Sequence, residues 1–227
     1  MILLSNITDN MKEEIILQDI AVNYFNPALK YTLYHYNKEE LMRYNYNTCR
    51  QTAFIGAAFF SMYCEKNGIP YTFQAFEADC RDVLYGHPAS YTHAYIYATN
   101  SVTGKHLLID LSRTEQPIIF FEVPDNQYPK IHGYYKDLEV LRIREVDWRE
   151  ALNLEEYITG LPGTEFLNKV SDVYDQCCDM EEDLRSFFSQ MCYSSFTEAF
   201  GKEIGAVPED VPFLIQRVTH ISDRIGE

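Results

Sequence analysis

The amino-acid sequence predicts an α+β fold in which helices come first, an antiparallel sheet follows, and further helices end the chain. Five runs rich in aromatic and β-branched residues follow one another between Tyr71 and Val146. Helical patterns precede these runs and return after Trp148. Because the strands are consecutive rather than alternating with helices, the order favours an α+β fold over βαβ units.

The first 43 residues predict two or three helices. They include "MKEEIILQDIAVNYF" and "NKEELMRY". In the second of these, Asn37 followed three residues later by Glu40 is close to a capping box, which marks the start of a helix.

The next helix begins at Cys49 and carries the first functional signal. Asn47 or Thr48 can cap its N-terminus, and Gly68 followed by Pro70 ends it. The residues between are almost all apolar, which is typical of a buried helix. Cys49 therefore lies in a first helical turn, where the helix dipole favours a thiolate. That position suits a nucleophile.

The strands and the last helices follow. The strand candidates are Tyr71–Glu77, Tyr91–Ala98, Lys105–Leu111, Ile118–Val123 and Glu139–Val146, and helices are predicted around 149–158, 164–191, 194–203 and 208–224. We expect residues 1–147 to form the core with its N-terminal helices. We expect residues 148–227 to form an acidic helical extension packed on that core.

Charge limits the class of partner. The formal net charge is −15, which argues against binding a nucleic-acid backbone. From Asp147 onward the chain has 17 acidic and 6 basic residues, so most of the negative charge lies in the extension. An acidic helical surface of this kind could dock a basic protein partner.

No apolar run approaches the roughly 18 residues that a membrane span needs. "MILLSN" is too short for the core of a signal peptide, so we expect a cytoplasmic protein or one delivered without a cleaved signal. The six cysteines include no C-x-x-C pair, so we expect reduced thiols and neither a metal nor a cofactor. Cys64, Cys177 and Cys178 are interpreted as packing residues.

Two of the predicted strands bring an imidazole and a carboxylate together. They flank the turn "TNSVTG", and centring the hairpin on the middle of that turn places His93 opposite Asp110 and Tyr97 opposite His106. A slip of two residues would keep both side chains on one face of the sheet, whereas a slip of one would separate them. An aspartate that accepts the Nδ1–H of the ring leaves the other nitrogen for a thiol proton.

The order of these parts resembles the transglutaminase-like superfamily, whose core is a papain-like fold. "HAYIYA" stands where that family has a His-Ala-aromatic strand, and "HLLIDLS" stands where it has a strand ending in Asp. The resemblance covers about a third of the chain, from Asn45 to Ser112. It implies a central N-terminal helix that carries the cysteine on an antiparallel sheet, with Cys49, His93 and Asp110 as the catalytic triad.

Several family features are absent from the sequence. The glycine often found before the cysteine is replaced by Asn47-Thr48, and Tyr95 stands where tryptophan is common. The Arg-Gly-Gly of arylamine acetyltransferases, the zinc cysteines of typical peptide N-glycanases and the calcium sites of animal transglutaminases are also missing. These absences favour a small bacterial-type thiol enzyme.

Other residues compete for roles in the site. His87 is the main rival base, while His106 is interpreted as a surface residue near the turn. Tyr44 or Tyr46 could donate to an oxyanion, although packing is the simpler interpretation.

The expected activity is acyl transfer on amide bonds of a protein or peptide by a Cys49 thiolate. We expect a cysteine peptidase. A glutamine deamidase or a transglutaminase would use the same triad, and a non-catalytic binding module with an acidic docking surface is the alternative of another class.

Overall fold

Helices precede and follow an antiparallel sheet in the structure, a computed structural model that describes residues 9–43, 48–84, 87–112, 119–131, 139–153 and 163–201. The helices are α1 (Asp9–Ile20), α2 (Asn26–Arg43), α3 (Cys49–Asn67), α4 (Trp148–Ala151), α5 (Gly163–Asp179) and α6 (Glu182–Gly201). The strands are β1 (Tyr71–Leu84), β2 (His87–Asn100), β3 (His106–Asp110), β4 (Ile119–Val123) and β5 (Glu139–Val146). This order confirms the α+β class.

The chain divides into two compact units. One consists of residues 1–46 and 169–227, and the other of residues 47–168, so the boundary falls inside α5. The second unit contains α3, α4 and the whole sheet. The predicted division between residues 147 and 148 lies elsewhere in the chain and stays a prediction.

Helix α3 is buried on every side along its middle. The residues from Thr52 to Phe60 are all buried, as its apolar composition predicts. Gly68 ends the helix with φ of +66°, and its N–H donates to the carbonyls of Cys64 and Glu65. Thr48 is the N-terminal flanking residue, but its side chain makes no capping hydrogen bond, so the predicted capping role is wrong for Thr48. Asn47 lies outside the described residues.

The five strands form one sheet in the order β4-β3-β2-β1-β5, with each neighbouring pair antiparallel. Strand β5 has the predicted bounds. Strand β1 continues to Leu84 rather than ending at Glu77, because it pairs with β2 along its full 14 residues. Pairing with a long neighbour therefore extends both central strands beyond the segments with the strongest strand composition.

The two faces of the sheet pack differently. On one face, the ring of Phe73 stacks on Phe60 of α3, with 5.7 Å between ring centroids. Trp148 Nε1 donates to the Phe73 carbonyl at 3.1 Å and so attaches α4 to β1. The opposite face carries a buried, largely aromatic cluster, whose members are Phe76, Ala78, Cys80, Tyr95, Tyr97, Leu108, Val123 and Ile131. His93 and Asp110 lie in the same alternating series along their strands as members of this cluster, and the His93 ring stacks on Tyr95 with 6.3 Å between centroids.

The β2–β3 hairpin is shifted by two residues from the predicted register. Tyr97 pairs with Leu108, and Thr99 pairs with His106. The reason is the turn. Asn100 Oδ1 accepts hydrogen bonds from the N–H groups of Val102 and Thr103, which moves the centre of the turn one residue toward the C-terminus. As expected for a slip of two, His93 and Asp110 stay on one face.

The other unit is helical. A π-helical segment, Ala21–Phe25, joins α1 to α2. Within this unit the ring of Tyr24 lies near Tyr174, with 6.3 Å between centroids, and the Arg185 guanidinium lies 4.6 Å from the centre of the Tyr24 ring. Arg185 also donates to the carbonyl of Met180, the residue after the end of α5.

The predicted break between residues 191 and 194 is wrong. Helix α5 ends at Asp179, and α6 runs without interruption from Glu182 to Gly201. Acidic residues in a first turn favour a helix start, and Glu182 and Asp183 supply them here. The helices predicted at 208–224 and the end of the one predicted at 149–158 lie outside the described residues.

Candidate active site

Cys49 is the first residue of α3, and only 6% of its surface is exposed. Its Sγ lies 3.8 Å from the carbonyl oxygen of Thr92, the residue before His93 on β2. The first intrahelical hydrogen bond runs from Thr52 N to Thr48 O, at 2.9 Å. The N–H of Cys49 therefore lies ahead of this ladder, at the end of the helix where the dipole favours a negative group.

His93 and Asp110 form a close pair. His93 Nε2 lies 2.6 Å from Asp110 Oδ2, and 14% of the His93 side chain is exposed. The expectation that the carboxylate would accept from Nδ1 is wrong, because the shifted register places Asp110 diagonally across from His93. Nδ1 is thereby the nitrogen left for a thiol, and the Cys49 side chain is near enough to the ring to raise the pKa of His93.

The second oxygen of Asp110 has its own partners. Oδ1 accepts from the N–H of Ser112 at 2.9 Å and from the Ser112 hydroxyl at 2.6 Å. With 1% of its side chain exposed, Asp110 is a buried carboxylate whose two oxygens are both hydrogen-bonded. This arrangement fixes the plane of the carboxylate, and through it the His93 ring.

The protonation of His93 follows from this geometry. Burial is the largest influence and by itself lowers the pKa of His93. The charge and hydrogen bond of Asp110, followed by the hydrogen bond and charge of Cys49, together outweigh burial and raise the pKa from 6.5 to about 10. His93 is therefore an imidazolium at neutral pH, the state that stabilises a neighbouring thiolate.

The structure brings Cys49, His93 and Asp110 together at the N-terminal end of α3. Sequence reasoning missed Ser112. The signal was present, because a serine two residues after a strand-ending aspartate is a common local hydrogen-bonding pattern. The Thr92 carbonyl could not be identified in this way, because any residue type supplies one.

The rival residues have other positions. His106 is half-buried rather than a surface residue, because its ring stacks on Tyr128 with 4.2 Å between centroids and its Nδ1 lies 2.9 Å from Thr99 Oγ1. Cys64 is buried, as interpreted. The His87 side chain, Tyr44 and Tyr46 lie outside the described residues.

The cysteines of the helical unit differ from one another. Cys177 is buried, which accords with a packing role, whereas Cys178 is exposed and the packing interpretation is wrong for it. Burial, followed by the neighbouring Cys178, raises the pKa of the Cys177 thiol to about 12, against a smaller lowering by Arg185. Such a thiol stays protonated at neutral pH.

Among the described residues, no group of three or more histidine, cysteine, aspartate or glutamate side chains is placed to hold a metal ion. Within the same ranges, none of the helices has the length and apolar character needed to cross a membrane.

Comparisons with known proteins identify no relative. No protein-family model matches the chain, and neither a curated protein nor a solved structure matches it. Functional inference therefore depends on the residues of the site.

Proposed function

We propose that the protein is a cysteine-dependent acyl-transfer enzyme that acts on amide bonds of proteins or peptides, with peptide hydrolysis as its reaction. The observation that carries this proposal is the 2.6 Å pair of His93 and Asp110 next to Cys49, whose Sγ lies 3.8 Å from the carbonyl oxygen of Thr92, the residue before His93. A nucleophile, a base and a residue that orients the base are the parts of a thiol-enzyme triad.

We also assign the unit of residues 47–168 to a papain-like, transglutaminase-like core. A buried helix with the cysteine at its N-terminus packs on an antiparallel sheet, and the histidine and aspartate come from neighbouring strands. These features support the assignment, together with the resemblance of the sequence from Asn45 to Ser112.

In the first step, the Cys49 thiolate gives an electron pair to the amide carbonyl carbon and forms a C–S bond. The backbone N–H of Cys49 is placed to donate to the oxyanion that develops. The C–N bond then breaks as the His93 imidazolium transfers its proton to the departing nitrogen. The products are a free amine and a thioester on Cys49.

In the second step, neutral His93 accepts a proton from water as the water oxygen attacks the thioester carbon. The C–S bond breaks, a carboxylic acid leaves, and the thiolate and imidazolium are restored. A glutamine side chain in place of the peptide bond would give deamidation, and a lysine amine in place of water would give transglutamination. The triad is common to all three reactions.

The test is alkylation by iodoacetamide between pH 5 and 9, with peptide mapping, of wild type and His93→Gln. Cys178 is the internal reference because its side chain is exposed to the reagent. The pKa of its thiol is raised above the usual value, first by partial burial and then by the charges of Asp175 and Asp179. At pH 6 we expect Cys49 to react at least about tenfold faster than Cys178, since an ordinary thiol loses roughly tenfold in thiolate per pH unit. His93→Gln should abolish this advantage.

The enzyme proposal would be overturned if Cys49 reacted no faster than Cys178, or if Cys49 reacted equally fast in wild type and in His93→Gln. A binding module would then be favoured, with the exposed acidic residues around the α5–α6 turn as its docking surface for a basic protein; these are Asp172, Asp175, Asp179, Glu181, Glu182 and Asp183.

The reaction is then identified with peptide substrates. New peptide termini would indicate a peptidase, ammonia release a deamidase, and incorporation of an added amine a transglutaminase. Cys49→Ala is the control for each assay and should be inactive in all three.

A further inference from the structure

A buried carboxylate lies close to the site but outside the triad. Glu77 belongs to β1, and 3% of its side chain is exposed. Its Oε1 lies 2.6 Å from Arg50 Nε, and its Oε2 accepts from Arg144 Nε at 2.8 Å and also from Arg144 Nη2. We name these three residues the Glu77 cluster. Both oxygens of this deeply buried carboxylate lie next to cations, the arrangement that offsets the cost of burying a charged group.

The Glu77 cluster joins three elements. Arg50 belongs to the first turn of α3, Glu77 lies on β1, and Arg144 is the residue directly opposite Glu77 on β5. The ion pairs therefore attach the N-terminal end of the buried helix to the middle of the sheet.

In the chain and in the strand register, the cluster lies one residue from each reacting group, with Glu77 on the face of the sheet opposite to His93. Arg50 follows Cys49 in the chain. On the sheet, the residue after Glu77 is Ala78, which pairs with His93. Glu77 thus contacts the helical turn that carries the thiol and lies one residue from the cross-strand partner of the imidazole.

Packing fixes the first turn of α3 less completely than the middle of the helix, although Thr48 and Cys49 themselves are buried. The buried middle of α3 begins at Thr52, whereas Arg50 and Gln51 are only partly buried. Thr48 supplies no side-chain cap. A displacement of the thiol by about 1 Å can reduce a reaction rate roughly 100-fold, so whatever holds the first turn has a large influence on reactivity.

We propose that Glu77 is a positioning residue that holds the first turn of α3 on the sheet through Arg50 and so keeps Cys49 against His93. This inference rests on the proposed thiol chemistry. Glu77 itself does not touch the reacting atoms, and its influence passes through Arg50 and the backbone of α3.

The test is the alkylation rate of Cys49 in Glu77→Gln from pH 5 to 9, alongside urea unfolding. We expect the rate at pH 6 to fall about 10- to 100-fold, toward that of His93→Gln. Cys178 should react as in wild type. Arg50 and Arg144 are 40% and 44% exposed, so water can solvate both guanidinium groups in the folded variant.

Two further variants separate the arms of the cluster. Arg50→Gln removes the link to α3 and should slow Cys49 as much as Glu77→Gln does. Arg144→Gln removes the link to β5 and should slow it less. If Glu77→Gln does not fold, Arg50→Gln provides the test, because in that variant Glu77 is still paired with Arg144.

Glu139→Gln is the matched control. It removes the Arg81–Glu139 ion pair, which also joins β1 to β5 but is exposed and 3.6 Å long. Cys49 should react at the wild-type rate in this variant.

Two outcomes would overturn the inference alone. In one, wild type shows fast, His93-dependent alkylation and Glu77→Gln is equally fast. In the other, Glu77→Gln is faster at acid pH, which would mean that Glu77 acts by neutralising the charge of Arg50 rather than by position. A wild type no faster than His93→Gln would instead overturn the proposed function, and this inference with it.

Discussion

The two ends of the β2–β3 hairpin each hold a histidine, and they hold it differently. At the turn end, His106 contacts the hydroxyl of Thr99 and stacks on Tyr128. At the open end, His93 contacts the buried carboxylate of Asp110 and the thiol of Cys49. One ring has a hydroxyl and an aromatic ring as neighbours, and the other has a carboxylate and a thiol.

This difference shows that the chemical role of a histidine depends on the side chains that contact its ring. Both rings are partly buried and lie on paired strands. Only at the open end does a buried carboxylate favour the charged form of the ring, which can stabilise a thiolate and then protonate a leaving amine. The turn end contributes hydrogen bonds and packing to the hairpin.

Asp110→Asn should have the largest effect on activity at the open end of the hairpin. The amide cannot stabilise an imidazolium, although its oxygen can still accept from Ser112. We expect turnover to fall on the order of 100- to 10,000-fold, and the rate of Cys49 alkylation at pH 6 to fall toward that of His93→Gln. Single-turnover kinetics or peptide mapping measures the effect, and circular dichroism checks the fold.

The matched change at the turn end is Thr99→Val, which removes the hydroxyl beside His106. The Cys49 rate should stay within about twofold of wild type. Equal losses in the two variants would contradict the distinction between the ends.

The pH dependence of stability tests whether folding favours the charged form of His93. Because the pKa of His93 rises from 6.5 to about 10 on folding, its contribution to stability is fully present below about pH 6.5 and is lost as the pH rises through 10. Wild type should therefore lose more stability over this interval than His93→Gln, by on the order of 1 to 3 kcal/mol. Urea unfolding at several pH values measures the difference, and parallel curves would contradict it.

Asn100→Ala should affect stability alone. It removes the two hydrogen bonds that the buried Asn100 side chain accepts from Val102 and Thr103. We expect the free energy of unfolding to fall by about 1 to 3 kcal/mol. Alkylation of Cys49 at pH 6 should not change, and a loss there would mean that the turn controls the open end.

Local sequence was sufficient where one signal acts without competition. The bounds of α3 follow from its apolar residues and from Gly68, which adopts the left-handed conformation that ends the helix. Strand β5 has the predicted bounds as well. In α5 and α6, by contrast, no glycine or proline marks the break after Asp179, and the sequence pattern gave the wrong position.

By itself, then, the sequence determined the α+β order, the buried helix with Cys49 at its start, and the shared face of His93 and Asp110. These depend on residue type, periodicity and the alternation of side chains along a strand, which are local properties. Only the tertiary structure decided the two-residue shift of the hairpin, the choice of Nε2 as the contact to Asp110, and the Glu77 cluster. Those features depend on distances between residues far apart in the chain, such as Glu77 and Arg144, which local preferences do not fix.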